Sequence, residues 1–147
     1  MVVIGGGFSY GALGMSHHAT EDLAIMRALP DVTVVAPGDH WETAEATRAI
    51  VSKQGVCYLR LDKSAAPRSD GAEDSFELGK IRTVRSGSGV AILATGGILG
   101  EALRASELLS KLGVKPPCAS VHTIKPRDTT APVRTCPSHG LRSPPHE

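Results

Sequence analysis

Two adjacent histidines, His17 and His18, close the loop Tyr10-Gly-Ala-Leu-Gly-Met-Ser16 and stand just ahead of an acidic pair, Glu21-Asp22. An imidazole that titrates near neutrality can hydrogen-bond a developing alkoxide or carry its proton. A glycine-bearing loop lets the backbone approach a ligand closely. The plainer use of the same residue is a loop histidine that caps the helix beginning near Thr20. Further along, Arg60 stands near the end of the apolar run Val56-Cys-Tyr-Leu-Arg-Leu61. Its forked donors suit a phosphate or carboxylate; the plainer reading is an arginine reaching solvent from a strand end. Lys63 adds positive charge nearby without a motif of its own.

Other chemistry-bearing residues lack the necessary pattern. Gly5-Gly-Gly7 and Thr95-Gly-Gly97 miss the lysine and spacing of a phosphate-binding loop and read as turns that need positive φ. Cys118 with His122, and Cys136 with His139, have spacings that could start a zinc site. Neither pair finds the remaining ligands of a closed tetrahedral set, so no metal residue is assigned.

The elements that must hold these residues follow from hydrophobic period and punctuation. Val2-Val-Ile4 reads as a short strand. A helix is expected over about Thr20 to Leu29, with Glu21 and Asp22 complementing its dipole and Pro30 ending it. Val32 to Ala36 is a buried strand. Asp39-His-Trp-Glu42 has capping-box spacing and opens a helix from about His40 to Lys53, with Gly55 beyond its end. Val56 to Leu61 completes a strand–helix–strand unit, which implies a parallel sheet. A weaker strand is expected within Phe76 to Arg85. Val90 to Ala94 as a buried strand, Ile98 to Leu112 as a helix capped by Gly113, and Cys118 to Ile124 as one returning strand make a second such unit.

The expected fold class is therefore α/β: two partial three-layer modules with mostly parallel sheets and a disordered C-terminal tail. The modules span residues 1–64 and 75–128, with a linker over 65–74 and the tail over 129–147. In that tail Pro132, Pro137, Pro144 and Pro145 accompany scattered basic residues without apolar period.

Composition narrows the function classes. Of the 147 residues 41% are hydrophobic but only 3% aromatic, so the core must rest on aliphatic side chains, as in buried parallel strands. The formal net charge of +1, with both signs interspersed, gives no reason to expect nucleic acid or an anionic membrane as partner. No run has the length of a membrane span, and three widely separated cysteines argue against a disulfide framework; a cytoplasmic setting is expected.

Five segments, in order, resemble the transketolase family. Ser16-His17-His18-Ala-Thr-Glu21-Asp-Leu-Ala-Ile-Met-Arg27-Ala-Leu-Pro30 is similar to its T-H-(Q/H)-x-x-E-D motif and following helix. Val34-Val-Ala-Pro37-Gly-Asp39-x-x-Glu42 resembles its V-x-x-P-x-D-x-x-E turn, and Tyr58-Leu-Arg60-Leu61 the strand bearing a substrate-facing arginine. Val90-Ala-Ile-Leu-Ala-Thr95-Gly96 and Ser120-Val-His-Thr-Ile-Lys-Pro126-Arg-Asp128 resemble the opening of its C-terminal domain. The resemblance runs from about Val2 to Asp128. It implies the back half of a pyrimidine-binding domain followed by the front of a transketolase C-terminal domain.

The resemblance implies transfer of a two-carbon ketol unit between sugar phosphates by way of thiamine diphosphate and Mg2+. His17 would be the catalytic histidine, while Arg60 and His18 would face the substrate. Leu13 departs from the family, which has an aspartate there to read a substrate hydroxyl. The family's upstream glutamate, its ring-stacking aromatic and its G-D-G…N diphosphate and metal motif do not occur in the sequence. The expectation is thus a C-terminal subunit or fragment, inactive alone, that needs an N-terminal subunit carrying the diphosphate-binding domain, within an oligomer. A truncated non-catalytic fragment, a 2-oxo-acid dehydrogenase β-type component and a deoxyxylulose-phosphate synthase-type component stay open as alternatives.

Overall fold

The computed structural model of the protein describes residues 1–63 and 75–129. The expected linker over 65–74 and the expected tail from residue 130 onward lie outside the described residues.

Among the described residues, seven strands and three helices follow in the order β1 (Val2–Ile4), α1 (Asp22–Ala28), β2 (Val32–Val35), α2 (His40–Val51), β3 (Val56–Leu61), β4 (Arg82–Arg85), β5 (Ile92–Ala94), α3 (Leu99–Lys111), β6 (Cys118–Ser120) and β7 (Thr123–Lys125). They form a four-stranded sheet in the order β1-β3-β2-β7 and a three-stranded sheet in the order β4-β6-β5. Both strand–helix–strand expectations hold: β2 lies parallel to β3, and β5 parallel to β6. Strand β1 also runs parallel to β3, while β4 pairs antiparallel to β6.

The first sheet is the middle of three layers. Its alternation sends Val32, Val34 and Tyr58 to one face, where Leu23 and Met26 of α1 pack on them. Val35 and Leu59 go to the other face, against Ala46 and Ile50 of α2. Every residue of β2 is buried as a result, which explains its unbroken β-branched sequence. Helix α1 begins later than expected, at Asp22, and spans seven residues. Helix α2 starts where the capping residue predicts, with the Asp39 side chain accepting from the Glu42 amide. Glu42 does not return to Asp39: its Oε2 accepts from the Gly38 amide at 2.8 Å, one residue earlier than a regular capping box.

The second sheet departs from expectation in two places. Strand β5 is shorter than the run 90–94 and only partly buried: Val90 is 68% and Leu93 48% exposed. Its alternation places Ala94 in the cluster with Val84, Leu99 and Cys118, which α3 covers, and sends Leu93 the other way. The run 118–124 is not one strand. Its first part, β6, stays in the second sheet, and its last part, β7, crosses to pair antiparallel with β2. The Val121 amide donates to the Ala94 carbonyl at 2.7 Å, and the next carbonyl, of His122, accepts from Ala36 at 2.8 Å. Apolar period cannot register such a change of partner, because both halves satisfy it.

Around this crossing the two sheets share a buried polar core. Arg82 Nη1 lies 3.1 Å from both Asp39 Oδ2 and Glu42 Oε1, with side chains 0–1% exposed. Ser120 donates to Glu42 Oε2 at 2.9 Å, and the Arg82 guanidinium lies 4.5 Å over the Trp41 ring. Burial pushes the Glu42 carboxyl up, more than its hydrogen bonds from Gly38, Ser120 and Arg82 pull it down. Burial works to lower the Arg82 pKa, but the hydrogen bonds to Glu42 and Asp39 carry the net shift upward.

Candidate active site

The segment between β1 and α1 leaves the sheet at Gly5, whose amide donates to the Leu61 carbonyl at 2.8 Å. It returns at Ala19, where Gly7 and Ala19 exchange amide–carbonyl hydrogen bonds of 2.9 and 3.0 Å. This pair closes the base of a compact loop over residues 8–18. Within the loop are two 3-10 turns, Gly11–Leu13 and Met15–His17, joined at Gly14, whose φ of 73° a side chain would disfavour.

His17 ends the second turn with its side chain exposed. Its Nδ1 lies 3.0 Å from Ser16 Oγ, and its ring meets Tyr10 edge-on at 6.2 Å. The ring is oriented but remains open to a ligand. His18 turns inward and packs edge-on against Phe8 at 5.0 Å, with both ring nitrogens buried and lacking a hydrogen-bond partner among the described residues. Leu13 is 55% exposed on the first turn. Lys63 stands 4.3 Å over the Tyr10 ring, so the loop also carries a cation on its aromatic face.

Arg60 is held from three sides rather than reaching solvent. Its Nη2 donates to the Ala19 carbonyl at 3.3 Å, its Nε lies 3.3 Å from Asp22 Oδ2, and its Nη1 lies 3.5 Å from Asp62 Oδ1. Tyr58 donates to the same Asp22 oxygen at 2.9 Å, and burial, reinforced by that bond, pushes the phenol up to about 12. The fold thus ties His17 and Arg60 to one framework: Ala19, two residues after His17, both closes the loop and receives Arg60. A cavity of about 340 Å³ opens beside it, with Gly6, Phe8, Arg60, Asp62 and Thr95 among its walls.

Asp22, Asp62 and Thr95 do not stand out as site residues in the sequence. A signal for Asp62 is present, since Arg60 and Asp62 are two apart at a strand end and share a face. Locally, Asp22 reads only as a first-turn acid of α1 and Thr95 only as the start of a glycine turn. The cysteine–histidine pair considered for zinc is divided between two environments. Cys118 lies in the core under α3, where burial pushes its thiol up, and His122 stacks on Phe76 at 4.2 Å. Cys136 and His139 lie outside the described residues.

The family-model comparisons cover both sheets. The transketolase pyrimidine-binding domain matches residues 1–68, and the transketolase C-terminal domain matches residues 79–140. The chain belongs to the transketolase family. It is 39% identical over 127 residues to the 6-deoxy-6-sulfo-D-fructose transketolase subunit of Clostridium sp. (strain MSTE9), covering 86% of this chain and 39% of that one. It is 32% identical over 129 residues to a subunit of the apulose-4-phosphate transketolase of Phocaeicola vulgatus, covering 87% of this chain and 41% of the relative. Among solved structures it resembles a split-gene transketolase described as an inactive β4 tetramer, with TM-score 0.81, 29% identity, and coverage of 95% of this chain and 44% of that chain. A Pichia stipitis transketolase variant aligns with TM-score 0.71 and 26% identity over 84% of this chain and 19% of its own. The chain spans about two fifths of the length of these two curated relatives.

Transketolase-family membership implies thiamine diphosphate, and the donor set can be tested against it. Among the described residues no group of three or more His, Cys, Asp and Glu could hold a metal ion. The described residues therefore present no cluster for the cation that accompanies its diphosphate. Among the described residues no helix is long and apolar enough to cross a membrane.

Proposed function

We propose that this chain forms one wall of a ketol-transfer site, as the C-terminal component of a transketolase-like enzyme. A partner subunit supplies the ligands for the diphosphate and for Mg2+. The observation that carries this reading is the His17 imidazole, exposed on a closed loop whose base is hydrogen-bonded to Arg60. The names of the relatives, which describe transketolase subunits, support it.

When bound, thiamine diphosphate supplies the nucleophilic carbon that carries the two-carbon unit; this chain's residues position the sugar and move protons. His17 would donate a hydrogen bond to the substrate oxygen on which charge develops, and take or return its proton. Arg60 would meet the anionic end of a sugar phosphate, with Lys63 adding positive potential at the loop. His18, whose nitrogens have no partner among the described residues, would take a hydroxyl or a water when substrate closes the site. Leu13 offers only apolar contact at its position, so the hydroxyl pattern accepted here should differ from that of enzymes with an acidic residue there.

The test is reconstitution. The chain is mixed with a subunit that carries the diphosphate-binding domain, and ketol transfer from a ketose phosphate to an aldose is followed with thiamine diphosphate and Mg2+ present. Transfer should require both chains, and the cofactor should bind only to the mixture. Tight, Mg2+-dependent cofactor binding by this chain alone would sink the proposal.

A further inference from the structure

Among the described residues, Asp62 is the side chain that touches both Arg60 and the second sheet's connection. Its Oδ2 accepts from the Gly97 amide at 2.5 Å, in the 3-10 turn Gly96–Ile98 that leads into α3. Its Oδ1 faces Arg60 Nη1 at 3.5 Å. The surroundings are built to admit this pair. A Cβ on Gly6 would fall 2.1 Å from Arg60 Nε and 2.3 Å from Asp62 Oδ1, and one on Gly96 would fall 2.9 Å from Asp62 Oδ2. Gly96 also has φ +67°, so two independent reasons demand glycine there. The pair is therefore clamped between a glycine turn of the first sheet and a glycine turn of the second, and both side chains are at most 15% exposed.

We propose that Asp62 is the positioning residue of Arg60: through it, docking of the 96–98 turn fixes where the guanidinium stands. The proposal rests on the reading of Arg60 as the substrate-anion group. Without Asp62 the guanidinium keeps Asp22 and Ala19 on two sides but loses its third support. It can then swing within the cavity, and the second sheet no longer bears on the site. The second domain thereby acquires a role in binding without supplying a group that touches substrate.

Two measurements test this on the full chain and its reconstituted complex. In nitrogen-15-labelled chain, the Arg60 Nη1 protons, which face Asp62, should exchange slowly with water, and the Gly97 amide proton should lie well downfield because of its short bond to a carboxylate. Asp62→Asn keeps an acceptor for Gly97 but removes the charge facing Arg60. It should speed exchange of the Arg60 Nη1 protons about tenfold or more, because the carboxylate charge that holds them 3.5 Å away is gone. Rapid Arg60 exchange in the wild-type chain, or no change in the variant, overturns the proposal, and the wild-type measurement stands whether or not a variant folds. In the complex, Asp62→Asn should raise KM for a phosphate-ended acceptor by about tenfold, with kcat within about twofold and an unphosphorylated acceptor unaffected. Equal losses with both acceptors would show a general structural role and overturn it. If the wild-type complex transfers no ketol unit at all, the functional reading of the site fails, while the exchange measurement still decides the coupling of Asp62 to Arg60.

Discussion

Arg82 Nη1 and Glu42 Oε1 lie 3.1 Å apart in the seam between the two sheets, with side chains almost wholly removed from water. Asp39 completes the group at 3.1 Å from the same nitrogen. Removing the Arg82 charge leaves two buried carboxyl groups without the cation they share. Arg82→Met should therefore destabilise the chain by about 3–5 kcal/mol. Glu42→Gln, which keeps the shape and leaves Asp39 beside Arg82, should cost less. Urea unfolding of both single variants and the double variant checks this; additive losses would show that the two side chains do not act as a unit.

His122 predicts a pH dependence. Its ring is 1% exposed and stacked on Phe76, and burial, with a smaller contribution from Arg82, lowers its pKa from 6.5 to about 4. The unfolded chain takes up this proton below about pH 6.5 and the folded chain only near pH 4. The neutral ring's contribution is thus full above pH 6.5, declines as pH falls through that window, and amounts to about 3 kcal/mol. Glu42, raised in the fold, works in the opposite sense, losing its contribution as pH rises past its ordinary range. Comparing wild type with His122→Gln isolates the histidine: the stability difference between pH 7 and about pH 4.5 should shrink in the variant. An unchanged slope would refute the assignment.

Gly38 marks where the second sheet's helix meets the first. A Cβ there would lie 2.6 Å from Leu99 Cδ2, 2.8 Å from Leu99 Cβ and 3.1 Å from the Gly96 carbonyl. Gly38→Ala should cost about 1–3 kcal/mol by forcing α3 away from the Pro37-Gly38 turn. Gly11→Ala, with nothing within 4 Å of its Cβ, serves as the control and should stay within about 0.5 kcal/mol. Thermal midpoints of the two variants give the comparison directly.

His17 should separate activity from stability. Its ring is exposed and hydrogen-bonds only its neighbour Ser16 among the described residues. His17→Ala should leave stability within about 0.5 kcal/mol. In the reconstituted complex it should lower turnover by roughly 100- to 10,000-fold, the range for loss of a proton-transferring group. Retention of full turnover would remove His17 from the chemistry.

Local pattern was enough to fix most of the elements and to carry the family resemblance. The β-branched run of β2, the Asp39 cap of α2 and the Gly113 stop of α3 are local decisions, made by side-chain branching, a short hydrogen bond and a backbone with φ +85°. His17 and Arg60 were legible as candidates because a charged or titratable residue at a loop or strand end stands out against apolar neighbours. Tertiary structure alone decided what those residues face. Arg60 is clamped by Asp22, 38 positions earlier, and by Asp62, which a turn 35 positions later holds in place. The run 118–124 divides between two sheets because β2 and β5 offer partners in different places, and Glu42 is a seam residue as well as a helix-cap partner because Arg82 arrives opposite it. Period and propensity act over a few residues. Burial, charge pairing and strand partnership are set by distance in space, and no local pattern in the chain encodes them.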